Sequence, residues 1–198
     1  YGFLCVVESP EGQNVGLHKF LSLMADVTLD LSSQDKIINE LLEDKIINSE
    51  DLHPYEFNEY VKIFLNGKWL GFVKDATKVS KHLKDKREQN YINSHVSIIN
   101  NMSSKEIKIF TDKGRLIRPL LKVKDNELLL KKEMLDKIDL IGEDSKKVLS
   151  WNQFTKKYNN VIEYIDVEES ELSMISMHLK DLDVNRSRML KEVPKPNE

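Results

Sequence analysis

An α+β fold is what this 198-residue chain predicts from its own residues. Two β-rich runs in "YVKIFLNGKWLGFV" meet at Asn66-Gly67, a dipeptide suited to the positive φ angles of a two-residue hairpin turn, which predicts a hairpin over 60–73. Apolar residues recur at helical spacing in "SSQDKIINELLEDKIINSEDL". Further short runs bounded by turn residues follow without a regular βαβ period, so helices and antiparallel strands are interspersed.

Taken in order, "YGFLCVV" reads as a buried strand and "ESPEGQNVGL" as an irregular turn built on Pro10, Gly12 and Gly16. "VGLHKFLSLMADVTLD" is apolar with little period and reads as a buried extended segment. A helix near 33–48 takes Ser33 as N-cap, Asp35 in its first turn, and Ile37, Ile38, Leu41, Leu42, Ile46 and Ile47 as its apolar face. After the hairpin, a helix near 76–89 has Asp75 as cap and Val79 and Leu83 on one face, against a row of Lys78, Lys81, Lys84, Lys86 and Arg87. "HVSIIN", "KEIKIFT", "RLIRPLLKV" and "NELLLKK" suggest a meander of antiparallel strands, with Asp112-Lys113-Gly114 as a tight turn. A helix near 145–158 leads into a strand, "VIEYIDV", then "EESE", then another strand, "LSMISM", and a polar tail that reads as a linker.

Thirty basic and thirty-three acidic side chains leave a net charge of −3, which excludes a general electrostatic affinity for nucleic acid and makes any such contact local. A single cysteine, Cys5, excludes an internal disulfide framework and fits a reducing compartment. There is neither a run of about 18 apolar residues nor the layout of a signal peptide, so a soluble, intracellular protein with no membrane partner is expected. The first residue is Tyr1 and the opening run already reads as the interior of a fold, so the chain is expected to be a piece of a longer one.

Glu8 and Glu11 invite an acid/base pair, but Pro10 and Gly12 make their surroundings an irregular turn, where carboxylates are solvated or cap nearby amides. Histidines 18, 53, 82, 95 and 178 lack the spacing of a zinc site, and Cys5 within "FLCVV" reads as a small buried hydrophobe. Gly12 and Gly16 precede no Lys-Ser/Thr and form no G-x-G-x-x-G, so they do not make a phosphate loop. The turn nevertheless carries Glu11, Gln13 and Asn14, three side chains able to bond an external polar partner. The basic row on the helix near 76–89 reads as a solvated face, diluted by Asp85 and Glu88, and the acidic run "EYIDVEESE" as a solvent- or protein-facing surface.

"ESPEGQNVGLHKFLSLMA" closely resembles the E-T-P-E-G-Q/P-x-x-G-L-x-x-x-L-S/A-L-M segment of the second-largest, β-type subunit of multisubunit DNA-directed RNA polymerase. "IFLNGKWLGFVKDATKVSKHLKDKREQNYINSHVSI" is similar to that family's F-V-N-G-x-W-x-G segment, and "KEIKIFTDKGRLIRPLLKV" to its E-L-K-I-F-T-D-A-G-R-V-x-R-P-L segment. "WNQFTKKYNNVIEYIDVEESE" and "MHLKDL" continue the likeness in order. The N-G-x-W and F-T-D-x-G-R forms resemble the eukaryotic and large-DNA-virus branch. Ser9 stands for the usual threonine, Phe20 for a common asparagine and Lys113 for a usual alanine.

The resemblance implies that residues 1–30 are the end of the fork region, 31–180 a second external domain, and 181–198 a linker towards the hybrid-binding region. It implies a nucleotidyltransferase subunit in transcription whose partners are the largest and other polymerase subunits, the DNA template and the RNA–DNA hybrid. Mg²⁺ would serve the whole enzyme from segments outside this chain, leaving no cofactor and no catalytic residue here and an isolated fragment that is inactive. Glu8, Glu11, Gly12 and Gln13 would lie near the template and active centre, while Asn66, Gly67, Asp112, Gly114, Arg115 and Arg118 would be structural turn residues. The setting would be a virion or infected host cell for a viral source, or otherwise the nucleus. The alternative is a non-catalytic protein-interaction module.

Overall fold

A computed structural model describes residues 1–138 and 149–183, which form an α+β fold divided into two compact units. The first comprises residues 1–120 and 162–172, and the second the rest. The described segments contain no helix long and apolar enough to cross a membrane.

In the first unit, strand β1 (Asp26–Val27) precedes helix α1 (Gln34–Leu42). Ser33 is itself helical and makes no capping bond, contrary to expectation, because a turn with Gln34 N–H on Leu31 O (2.8 Å) and Asp35 N–H on Ser32 O (3.1 Å) leads the chain in. The helix stops at Leu42 rather than near 48. The apolar period continues only because Ile47 exchanges backbone bonds with Phe72 (2.8 and 2.9 Å) beside the hairpin.

That hairpin is β2 (Val61–Leu65) and β3 (Lys68–Val73), turning at Asn66 (φ 49°) and Gly67 (φ 77°). Both turn residues sit in the left-handed region, which glycine enters freely and asparagine at low cost. Helix α2 (Ala76–Glu88) follows, with Asp75 Oδ1 accepting from Lys78 N–H at 3.1 Å, and then β4 (Ser97–Asn101), β5 (Glu106–Phe110) and β6 (Leu116–Leu121).

These strands do not form the expected meander. One sheet has the order β3-β2-β5-β4, in which β2 and β5 run parallel, while β6 leaves it for a second sheet. Alternation on β2 sends Val61, Ile63 and Leu65 inward, where they cluster with Ile107 and Ile109 of β5, Ile38 and Leu42 of α1, and Val79 and Leu83 of α2. Each fully buried aliphatic side chain contributes about 1.5–3 kcal/mol.

In the second unit, β7 (Val123–Lys124) and β8 (Glu127–Leu128) form a small hairpin through Asp125 and Asn126, followed by the single turn α3 (Lys132–Leu135). Helix α4 (Trp151–Lys157) opens on a reciprocal cap in which Ser150 Oγ accepts from Gln153 N–H (3.4 Å) and Gln153 Oε1 accepts from Ser150 N–H (3.0 Å). The expected start of this helix at 145–148, and residues 184–198 of the expected linker, lie outside the described residues.

The chain then re-enters the first unit as β9 (Ile162–Asp166) and helix α5 (Val167–Glu171). The second sheet has the order β1-β6-β9. "EESE" is thus helical rather than a connection, because Asp166 Oδ1 caps Glu169 N–H at 2.7 Å, and "LSMISM" forms no strand. The amino-terminal run also departs from expectation. Leu4 bridges Leu21, but no longer strand forms, and of "YGFLCVV" only Phe3 is buried.

Candidate functional site

Residues 6–19 form a loop whose two legs are joined at the base. Cys5 N–H donates to Phe20 O (2.8 Å), Ser22 N–H to Phe3 O (3.0 Å), and the Ser22 hydroxyl to Gly2 O (2.6 Å). Inside the loop the Ser9 hydroxyl oxygen accepts from Gly16 N–H (3.3 Å), and the half-buried Cys5 Sγ accepts from Glu8 N–H (3.4 Å). A single 3-10 turn covers Gly12–Asn14, closed by Val15 N–H on Gly12 O (3.2 Å).

This folding leaves Glu8, Glu11, Gly12 and Gln13 exposed, and no heavy atom lies within 4 Å of where a Gly12 Cβ would be. Val7, Glu8, Ser9, Pro10, His18 and Phe20 line an open concavity of about 350 Å³. Apolar side chains around the loop are also bare: Val7 is 84% exposed, Leu17 73% and Leu23 99%. The apolar run was expected to be buried, yet no facing layer covers it among the described residues. Exposed apolar side chains grouped along one stretch of chain are candidates for cover by a partner.

The other residues singled out in the sequence sit away from the loop, in the frame that carries it. The Asn66 side chain accepts from Thr111 N–H (2.8 Å) and donates to the Thr111 hydroxyl (2.7 Å), which donates to Asp35 (2.5 Å), and its amide also makes a long contact with Asp35 (3.5 Å). The hairpin tip is thereby tied to the end of β5 and the start of α1. Arg115 is a hub whose Nε pairs with Asp112 (2.8 Å), whose Nη1 reaches Ser97 Oγ (2.6 Å) and Asp166 (3.2 Å), and whose Nη2 reaches His95 O (3.0 Å). Thr28 fastens the same turn, donating to Asp112 O and accepting from Arg115 N–H, each at 3.0 Å. Gly114 N–H adds a bond to Thr28 O (3.0 Å). Arg118 takes a different course: its Cζ lies 5.1 Å from the centroid of the Phe3 ring, and its Nε is buried without a hydrogen-bond partner among the described residues.

One cluster escaped sequence reasoning. Arg87, read as part of a solvated basic row, is buried, and the "acidic surface" supplies its partners. It makes a two-pronged pair with Glu169, Nη1 to Oε2 and Nη2 to Oε1 each at 3.1 Å, bonds Val96 O (2.8 Å) and contacts Glu163. Lys84 reaches Glu169 at 3.0 Å and Lys108 reaches Glu168 at 2.5 Å. Burial pulls the Arg87 pKa down, and the Glu169 and Glu163 carboxylates outweigh it, so the net shift is upward and the guanidinium stays charged. The signal was present in the spacing: Val79, Leu83 and Arg87 follow at intervals of four, so Arg87 lies on the apolar face of α2.

His95 packs edge-on against Tyr164, with centroids 4.8 Å apart. Its pKa is lowered, chiefly by burial and further by Arg115, with Asp26 opposing. Among the described residues no three His, Cys, Asp or Glu side chains are grouped so as to hold a metal ion.

Comparison with known proteins adds three matches in chain order. Residues 1–27 match the family described as RNA polymerase Rpb2, domain 3; residues 63–124 match RNA polymerase Rpb2, domain 4; and residues 151–197 match RNA polymerase Rpb2, domain 5. The chain is similar to "DNA-directed RNA polymerase subunit 2" of Acanthamoeba polyphaga mimivirus, 38% identical over 178 residues covering 89% of this chain and 14% of that protein. It is 37% identical over 182 residues to "DNA-directed RNA polymerase II subunit 2" of Arabidopsis thaliana, covering 92% of this chain and 15% of that protein. With "DNA-directed RNA polymerase II subunit RPB2" of Schizosaccharomyces pombe the identity is 35% over 197 residues, covering 94% and 16%. The chain thus spans 14–16% of the length of these relatives.

Proposed function

Because this chain belongs to the family of RNA polymerase second subunits, we propose that it serves DNA-templated synthesis of RNA and that its 6–19 loop is the part that approaches the active centre. The observation that carries the reading is the combination within one loop of a braced base and an exposed polar tip, Glu11-Gly12-Gln13. A loop that offers polar groups without spending them on its own fold is suited to hold an external polar chain.

The reaction is nucleotidyl transfer, in which the 3′-hydroxyl of the RNA attacks the α-phosphorus of a ribonucleoside triphosphate and diphosphate leaves in line. Mg²⁺, which supplies charge stabilisation to that displacement in the whole enzyme, is assigned to segments outside this chain, as is the largest subunit. The residues of this chain position. Gly12 lets nucleic acid approach the backbone closely, with no side chain in the way. Gln13 offers both donor and acceptor to a base or sugar. Glu11 is repelled by phosphate and so acts by orienting a neighbouring cation of the assembled enzyme. Glu8, on the wall of the concavity beside the tip, belongs to the same face. DNA template, RNA–DNA hybrid and the other polymerase subunits are the partners, in a virion, an infected cell or a nucleus.

The test is Gln13→Ala and Glu11→Ala in the full-length subunit, assembled into polymerase. Elongation at saturating nucleotide should fall by roughly tenfold or more, or misincorporation should rise, since small misplacements of reacting groups carry large rate penalties. Unchanged rate and fidelity in both variants would overturn the reading.

A further inference from the structure

The two legs of the 6–19 loop are held to the rest of the first unit in different ways. The downstream leg is fixed by backbone: β1, which follows it after a turn closed by Ala25 N–H on Ser22 O (3.1 Å), pairs with β6 through Asp26 opposite Ile117 and Val27 opposite Leu116. The upstream leg, residues 2–5, shares no ladder with β6. Its connection to that strand is a side chain, Arg118, the residue after Ile117 on β6.

The contact is close on two sides. The guanidinium lies over the ring of Phe3, which is buried, and against the backbone of Gly2. A Cβ at Gly2 would stand 2.7 Å from Arg118 Cζ and collide with its Nη1, and the φ of +83° there is itself one that L side chains rarely adopt. Glycine at this position is therefore what lets the leg cross Arg118. The same Gly2 gives its carbonyl to the Ser22 hydroxyl, so Arg118, the upstream leg and the downstream leg meet at one point.

We infer that Arg118 is a positioning residue for the polymerase reaction: by seating Phe3 and Gly2 it fixes the upstream leg and thereby sets where the Glu11-Gly12-Gln13 tip is held. The inference rests on the proposed placement of that tip at the active centre. A cation over an aromatic face within about 6 Å is attracted by the ring quadrupole, more strongly when desolvated. Removing it takes away the upstream leg's contact with β6, so the base opens more often while the fold beneath is unchanged.

The experiment uses full-length subunit assembled into polymerase, with Arg118→Met, which keeps the aliphatic stem, Arg118→Lys, which keeps the cation, and Gly2→Ala, which displaces the guanidinium from the other side. Two readouts are taken: hydrogen exchange at the Cys5 and Ser22 amides, and elongation kcat and KM for nucleotide per active enzyme. Arg118→Met and Gly2→Ala should speed exchange at both amides about tenfold or more and lower kcat, and Arg118→Lys should restore both. Should Arg118→Met fail to assemble, Gly2→Ala and Arg118→Lys carry the same comparison. Unchanged exchange overturns the inference whatever the rates. Faster exchange with normal kcat, in an enzyme that Gln13→Ala does slow, overturns it while leaving the proposed function standing. Normal kcat in the Arg118 and Gly2 variants, together with unchanged rate and fidelity in both Gln13→Ala and Glu11→Ala, overturns the proposed function and the inference with it.

Discussion

Arg87→Met should destabilise the first unit strongly. Methionine keeps most of the aliphatic stem, so the loss is chiefly electrical. The Arg87 side chain is 4% exposed and that of Glu169 2%, and the two share a pair of 3.1 Å bonds. Taking away one member of such a pair costs about 3–5 kcal/mol, because the other charge is left buried. Lys84, 3.0 Å from Glu169 with its side chain 37% exposed, retains part of the compensation and argues for the lower end. The orphaned Val96 carbonyl adds about 1 kcal/mol. A total of about 3–4 kcal/mol, at roughly 2 kcal/mol per molar urea, moves the unfolding midpoint down by about 1.5–2 M. Arg87→Met combined with Glu169→Leu removes both charges and should recover most of the loss, since a buried pair replaced by apolar groups is often neutral. A midpoint shift under about 0.5 M for Arg87→Met, or a double variant weaker than the single one, would refute the reasoning.

Asn66→Gly keeps the turn geometry but strips the buried Thr111 N–H of its acceptor, so equilibrium urea unfolding should show a loss of about 1–3 kcal/mol. Because the His95 pKa is lowered in the folded state, the unfolded chain binds the proton more tightly, and stability should fall as pH drops through the ordinary histidine value of 6.5 and level off below the depressed folded value. With Asp26 and Arg115 facing it, His95→Asn should flatten that slope in pH-dependent thermal melts.

Local patterns were legible where a local rule decides the outcome. The hairpin follows from Asn66-Gly67, the start of α2 from Asp75, and the α+β class from mixed periods. What failed depends on distant partners. Nothing near Val61–Leu65 announces that β5 will pair with it in parallel, since that register is set by strands and a helix intervening in the chain. Leu23 and Val7 look like core residues because a hydrophobic run carries no mark of whether its covering layer lies in the same stretch of chain. At the candidate site the tip residues were picked out by type and turn chemistry, while the part played by Arg118 was invisible: its contact with Phe3 spans more than a hundred residues and pairs a cation with an aromatic ring, which no local pattern announces.

The acidic run shows why charge patterns mislead in a fold that closes on itself late. Arg87 and Arg115 both lie before residue 120, yet the carboxylates that neutralise their buried ends, Glu169 and Asp166, arrive only when the chain re-enters the first unit at β9 and α5. Asp166 serves two purposes there, pairing with Arg115 and capping the first turn of α5, and that cap orients the helix on which Glu169 stands. A boundary drawn at residue 151, where the domain 5 match begins, would leave Arg87 buried without Glu169 and Glu163, and the half-buried Arg115 with Asp112 but without Asp166. The cost of an unpaired buried cation is comparable to a large share of a small domain's stability. The segment 162–172 is therefore energetically part of the first unit. The frame beneath the 6–19 loop is complete only once it is in place, because Arg115, bonded through Thr28 to the chain just after β1, stands on the same strand-and-turn as Arg118.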